Sequence, residues 1–164
     1  MIYHTPTVTI VVVARNEETV IGRLLDSMEG LDYPDDRYEV MLIDDDSKDD
    51  TGKIMRKYSD RHKHWKTIKH QKADNILRGK KGGLTLGIRE STGEIILITD
   101  ADCVVKPGWI RSMVSCFTPD IGMVLGNSPV RKRNDFLNVY QRFDNLCEAS
   151  LAAATTAYNK PSHS

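Results

Sequence analysis

Val8-Thr9-Ile10-Val11-Val12-Val13 is an unbroken run of six β-branched residues, five of them fully apolar. A strand with one wet face alternates apolar and polar residues. A run that is apolar on both faces is covered on both faces, the habit of a central strand in a parallel sheet. The run therefore predicts a central strand with helices above and below it. The next residues complete a strand–helix unit: Asn16 is placed to cap a helix with Glu17 and Glu18 in its first turn. Val20, Ile21, Leu24, Leu25 and Met28 form one apolar stripe, and Gly30 stands near the stop.

The same alternation continues along the chain. Glu39–Ile43 reads as a second strand, followed by the acidic turn Asp44-Asp45-Asp46-Ser47 and a helix behind Thr51 carrying Ile54, Met55 and Tyr58. Lys66–His70 gives a third strand. Arg78-Gly79-Lys80-Lys81-Gly82-Gly83 reads as a loop leading into a short helix through Leu84 and Ile88. Ile95–Thr99 is a fourth strand, and Pro107 suits the first position of a helix that buries Ile110, Met113, Val114 and Phe117. A fifth strand is expected at Ile121–Leu125. From Asp135 to about Ala157, the spacing of Phe136, Val139, Tyr140, Phe143, Leu146 and Leu151 predicts a long amphipathic helix. The fold class expected is α/β, a Rossmann-like three-layer α/β/α sandwich around a mostly parallel central sheet. Residues 1–130 form its core, and residues 131–164 begin a second region.

At 164 residues, with 40% hydrophobic and 28% charged side chains, the chain has the size and composition of one globular domain. Its 23 basic and 23 acidic residues balance, which argues against a nucleic-acid-binding surface. Cys103, Cys116 and Cys147 are odd in number and lack zinc spacing, so they are expected to be reduced, buried thiols in a cytoplasmic setting. His62, His64 and His70 lack the spacing of a helical metal motif and read as solvated loop histidines. The opening residues have neither a signal peptide's basic start nor a membrane span's length.

In parallel sheets ligands sit beyond the carboxyl ends of the strands. Two acidic groups fall there, Asp44–Asp46 and the pair Asp100 and Asp102 in Glu94-Ile-Ile-Leu-Ile-Thr-Asp-Ala-Asp102. Positions two apart on extended backbone share a face, so both carboxylates can meet one cation. Hard oxygen donors of this kind suit Mg²⁺ or Mn²⁺, completed by phosphate oxygens and water. Taken alone, the Asp44–Asp46 cluster reads equally well as turn and capping chemistry.

Four segments, Val-Val-Val-Ala-Arg-Asn-Glu-Glu at 11–18, Ile-Asp-Asp-Asp-Ser-Lys-Asp-Asp-Thr at 43–51, Gly-Lys-Lys-Gly-Gly-Leu at 79–84 and Thr-Asp-Ala-Asp at 99–102, occur in the order found in one family. Together they resemble the nucleotide-sugar-binding part of a family 2 glycosyltransferase with the GT-A fold, over about residues 7 to 130. The resemblance implies that Ala14, Asn16 and Glu17 form the turn that cradles the nucleoside, Ala14 through its backbone and Glu17 toward ribose hydroxyls. Asp45 would contact uracil, with Asp44 as its neighbour. Lys80 would face the nucleotide or its diphosphate. Asp100 and Asp102 would be the Asp-x-Asp metal motif, Asp100 shared between metal and ribose. It further implies transfer from a UDP-sugar to an acceptor hydroxyl with inversion, the acceptor being a glycan, lipid or protein. Thr85 stands where many relatives have asparagine, and Gly83 where alanine is frequent.

The attacking hydroxyl needs a general base. Past residue 130 the candidates are Asp135, Asp144 and Glu148, none in the acidic motif the family uses, so the catalytic base is expected to be missing from a truncated chain. Arg131-Lys132-Arg133 reads as a solvated loop. An uncovered helix 135–157 would make two copies pair as a homodimer. Many full-length relatives carry later membrane segments, so a membrane-associated parent is compatible with the resemblance. The competing readings are a nucleotide-binding fragment without catalysis or a self-associating module. A nucleotidyltransferase would want a Gly-rich basic loop at residues 14–18, and a receiver domain would carry its acidic pocket after the first strand.

Overall fold

The computed structural model describes residues 5–71 and 79–126. The chain divides into two compact units, Met1–Val124 and Leu125–Ser164, and the second lies outside the described residues but for its first two positions. The expected helix 135–157, the basic run 131–133 and the acids Asp135, Asp144 and Glu148 all fall there, as does Cys147.

In the first unit the order is β1 (Val8–Ala14), α1 (Ile21–Met28), β2 (Tyr38–Asp44), α2 (Thr51–Ser59), β3 (Trp65–Lys69), α3 (Lys80–Arg89), β4 (Ile95–Asp100) and α4 (Trp109–Val114). Among the described residues all pairings are parallel, in the order β3-β2-β1-β4, so β1 is flanked on both edges. Every residue of β1 is buried. Its two faces serve two separate cores. Val8, Ile10, Val12 and Ala14 join Val40 and Leu42 against Ile21, Leu24, Leu25 and Met28 of α1, Met55 of α2 and Ile110 of α4. Val11 and Val13 join Met41 and Ile43 against Leu84 and Leu86 of α3. That is the three-layer sandwich expected from an apolar run on both strand faces.

The helix α3 lies unusually close to the sheet. A Cβ on Gly87 would meet Val11 Cγ1 at 2.5 Å, and one on Gly83 would meet Val13 Cγ1 at 2.6 Å. Four helical residues rise about 6 Å and two strand residues about 6.6 Å, so the two glycines ride over the two valines almost in step.

Several local expectations are corrected. Lys80-Lys81-Gly82-Gly83 is the first turn of α3 rather than loop, and Gly83 serves packing against Val13; among the described residues only Gly79, at φ +70°, needs a glycine's freedom. Asn16 caps no helix: α1 starts at Ile21 behind Val20. Pro107 precedes α4, where Lys106–Trp109 closes a turn through a 2.9 Å bond from Trp109 N to Lys106 O, and proline suits its second position. Ile121–Leu125 pairs with no strand among the described residues, and Ile121, Met123 and Leu125 are exposed. A strand exists only by its ladder, which the sequence run alone cannot supply. Cys116 is exposed, its Sγ donating to Ser112 O, and Cys103 is half-buried.

Candidate functional site

The sheet register brings the chemistry together. Ala14 lies opposite Asp44, Val13 opposite Asp100 and Asp44 opposite Lys69, so the ends of β1, β2, β3 and β4 reach one rim. The ladder runs one step further in the loops: Asp45 N donates to Ala14 O, and His70 N donates to Asp44 O, each at 2.9 Å. Ala14, Asp44, Asp45 and Asp100, which the sequence separates by up to 86 positions, thereby share a single edge of the sheet.

The turns after β1 and β2 are knitted into one unit. Asn16, at φ +55°, receives Lys48 N on its Oδ1 at 2.8 Å, while its own N–H donates to Ser47 Oγ at 3.1 Å. Asparagine tolerates this left-handed backbone better than most residues. Glu17 N donates to Thr51 Oγ1 at 2.8 Å, and Asp50 N donates to Glu18 Oε2 at 2.9 Å. Thr51 in turn donates from N and Oγ1 to Asp49 Oδ1. Burial pushes the Asp49 carboxyl up, and the donations from Thr51 together with those from the Glu18 and Asp49 backbone N–H groups outweigh it, holding the group below the usual carboxylate range. Asp46 also takes a positive φ, 56°.

Asp44 and Asp45 are both buried, at 4% and 5% exposure. Asp44 Oδ1 accepts Ser47 N at 3.0 Å, and Gly52 leaves room for its other oxygen. Asp45 Oδ1 is bonded at 2.8 Å to His70 Nδ1, and Arg15 Nη1 stands 4.0 Å from Oδ2. His70, read from the sequence as solvated, is 3% exposed and part of the site. Its signal was its position at the carboxyl end of the third strand; in the structure it directly follows β3, as Asp45 directly follows β2. His62 and His64 are half-buried rather than solvated, His62 stacking on Trp65 with ring centroids 4.5 Å apart.

On the other side of β1, Lys80 in the first turn of α3 reaches Asp100 at the end of β4, Nζ to Oδ1 2.6 Å, with both side chains more than half exposed. The extended backbone stops at Asp100. Cys103 N closes a turn onto Asp100 O at 3.2 Å, with Ala101 buried and Asp102 exposed within it. The two acids are therefore presented by a strand end and a turn, not by one strand face as their spacing suggests. No group of three or more metal-ligating side chains occurs among the described residues. Two exposed carboxylates, one already holding an ammonium ion, are hard donors that fit a divalent cation sharing its remaining positions with phosphate and water. The rim thus carries buried acceptors on one flank and exposed acids with a lysine on the other, a division suited to a ligand with hydrogen-bond donors at one end and phosphates at the other.

Residues 9–162 match the model of the family described as Glycosyl transferase family 2. The chain is 38% identical over 97 residues to a probable glycosyltransferase, YdaM, of Bacillus subtilis, covering 59% of the chain and 23% of that protein. It is 33% identical over 140 residues to a beta-monoglucosyldiacylglycerol synthase of Synechocystis, covering 84% of the chain and 28% of the synthase. Among solved structures, the Pyrobaculum calidifontis mannosyltransferase PcManGT, in complex with GDP-Man and Mn²⁺, superimposes with a TM-score of 0.67 at 32% identity, covering 84% of the chain and 39% of PcManGT. Staphylococcus aureus TarS 1-349 with UDP-GlcNAc superimposes at 0.57 with 25% identity, covering 66% of the chain and 30% of TarS. The chain spans about a quarter of the length of these two curated relatives.

Proposed function

The chain belongs to glycosyl transferase family 2, and on that premise we propose that it is the donor-binding part of an inverting glycosyltransferase that uses a UDP-sugar. The observation that carries this reading is the common rim of Ala14, Asp44, Asp45 and Asp100, with Lys80 ion-paired across it. Asp45 accepts the imide N–H of uracil beside Asp44, Ala14 and Asn16 frame the nucleoside, and Glu17 faces the ribose hydroxyls. Lys80 faces the diphosphate. Asp100 and Asp102 hold Mg²⁺ or Mn²⁺, which when bound offsets the negative charge of the departing diphosphate.

The acceptor hydroxyl, on a glycan, lipid or protein, attacks the anomeric carbon from the face opposite the diphosphate, which inverts that carbon. No catalytic base is assigned among the described residues. We also propose a cytoplasmic setting, with a homodimer formed through residues 135–157. Among the described residues no helix is long and apolar enough to cross a membrane.

Calorimetric titration of UDP with and without Mn²⁺, on the wild-type chain and on Asp102→Ala, tests the reading. Metal-enhanced UDP binding that Asp102→Ala abolishes supports it. Failure of both UDP and GDP to bind overturns it, and GDP binding without UDP binding corrects the base. Binding that is indifferent to Mn²⁺ removes the metal.

A further inference from the structure

Asp45 is built more tightly than a base-reading carboxylate needs. It is nearly closed off from solvent, and one of its two oxygens is already engaged: Oδ1 lies 2.8 Å from His70 Nδ1, the side chains being 8% and 4% exposed. Neither partner is free to drift, since Asp45 N is tied to Ala14 O and His70 N to Asp44 O. The remaining oxygen, Oδ2, has the half-exposed Arg15 guanidinium at 4.0 Å. With Nδ1 carrying the proton, His70 donates to Oδ1 and takes up one of that oxygen's two lone pairs, so Oδ2 is the oxygen left with its full accepting capacity for a neutral ligand donor.

The number of available oxygens matters because nucleobases differ in their donors. Uracil offers one imide N–H between two carbonyl acceptors. Guanine offers two adjacent donors, a ring N–H and an exocyclic amino group, which pair with both oxygens of an unencumbered carboxylate as a guanidinium does. We propose that His70 is a specificity-determining positioning residue, which occupies one oxygen of Asp45 and so makes the site select a base with a single imide donor, uracil, over guanine. This inference rests on the donor-site reading above and deepens it to the choice of base.

The test is the ratio of UDP to GDP affinity by calorimetry for wild type, His70→Phe, His70→Asn and His70→Gln. Asparagine carries its amide nitrogen near the place of Nδ1, glutamine near that of Nε2, and phenylalanine keeps the ring without a donor. The ratio is expected to favour UDP in wild type and in His70→Asn. It should fall by roughly tenfold in His70→Phe and His70→Gln, because guanine gains a charge-assisted hydrogen bond that uracil cannot use. Should the phenylalanine variant fail to fold, the asparagine and glutamine pair decides alone. A ratio unchanged in both donor-lacking variants, or UDP and GDP weakening in parallel, overturns the inference while leaving the donor site intact. A wild-type preference for GDP does the same. Binding of neither nucleotide by wild type overturns the donor site itself, and this inference with it.

Discussion

Replacing Gly87 by alanine sets two physical effects against each other. In a helix interior the change is ordinarily favourable, by about 1 kcal/mol. Here the new methyl would stand 2.5 Å from Val11 Cγ1, well inside the ~3.5–4.0 Å of an ordinary carbon–carbon contact. Val11 is 0% exposed in a strand paired on both edges, and as a β-branched residue it has little freedom at χ1. Helix α3 must therefore lift or the strand must shift. Overpacking of this kind costs about 1–3 kcal/mol, so after the helical gain Gly87→Ala should lose a net ~0–2 kcal/mol. Urea unfolding should show a lower midpoint at an unchanged slope. The decisive comparison is a double-mutant cycle with Val11→Ala, which deletes the obstructing methyl. In that background Gly87→Ala should turn from harmful to helpful by about 1 kcal/mol. An equal effect in both backgrounds would refute the close-approach account. Gly83→Ala should be milder, since its neighbour Val13 is 8% exposed near the rim and has room to yield.

Lys80→Met should strengthen Mn²⁺ binding without nucleotide by up to about fivefold, because the displaced ion pair is exposed and worth at most ~1 kcal/mol; it should also weaken UDP binding, and calorimetry reads both. Thr51→Val keeps the shape of a fully buried side chain but strands Glu17 N–H and frees Asp49, which should cost about 1–3 kcal/mol in urea unfolding. Burial lowers the proton affinity of His64, only partly offset by Asp35, so the unfolded chain takes up its proton first as pH falls. Stability should therefore decline below about pH 6.5, from the ordinary histidine value down to the depressed folded one, and His64→Phe should flatten that part of the profile measured by thermal unfolding.

The sheet was legible because apolar, β-branched runs identify strands with little competition: β1 and β4 fall within a residue of their expected ends, and β2 and β3 begin one residue early. Since the carboxyl ends of parallel strands follow from the strands, Asp44, Asp45 and Asp100 could be grouped before any coordinates. Long-range partners were not legible. Asn16 has the composition of a cap, yet its carbonyl oxygen serves Lys48, 32 residues away. Gly83 looks like a loop residue until Val13 beneath α3 is known. His70 looks polar and solvated until β3 pairs with β2 and closes it over Asp45. In each case the deciding neighbour comes from a different element, which local pattern does not contain.

The placement of β1 between β2 and β4 also bears on how the chain emerges from a ribosome. One edge of β1 is covered as soon as β2 is made, whereas its other edge waits for β4, about 80 residues later. At ~5–20 residues per second that is roughly 4–16 s during which an apolar, hydrogen-bond-hungry edge has no native partner. A nascent chain paused before Ile95 would thus present the template that invites pairing with a neighbouring chain. Mispairing at that edge is thus expected within this interval rather than after β4 is made.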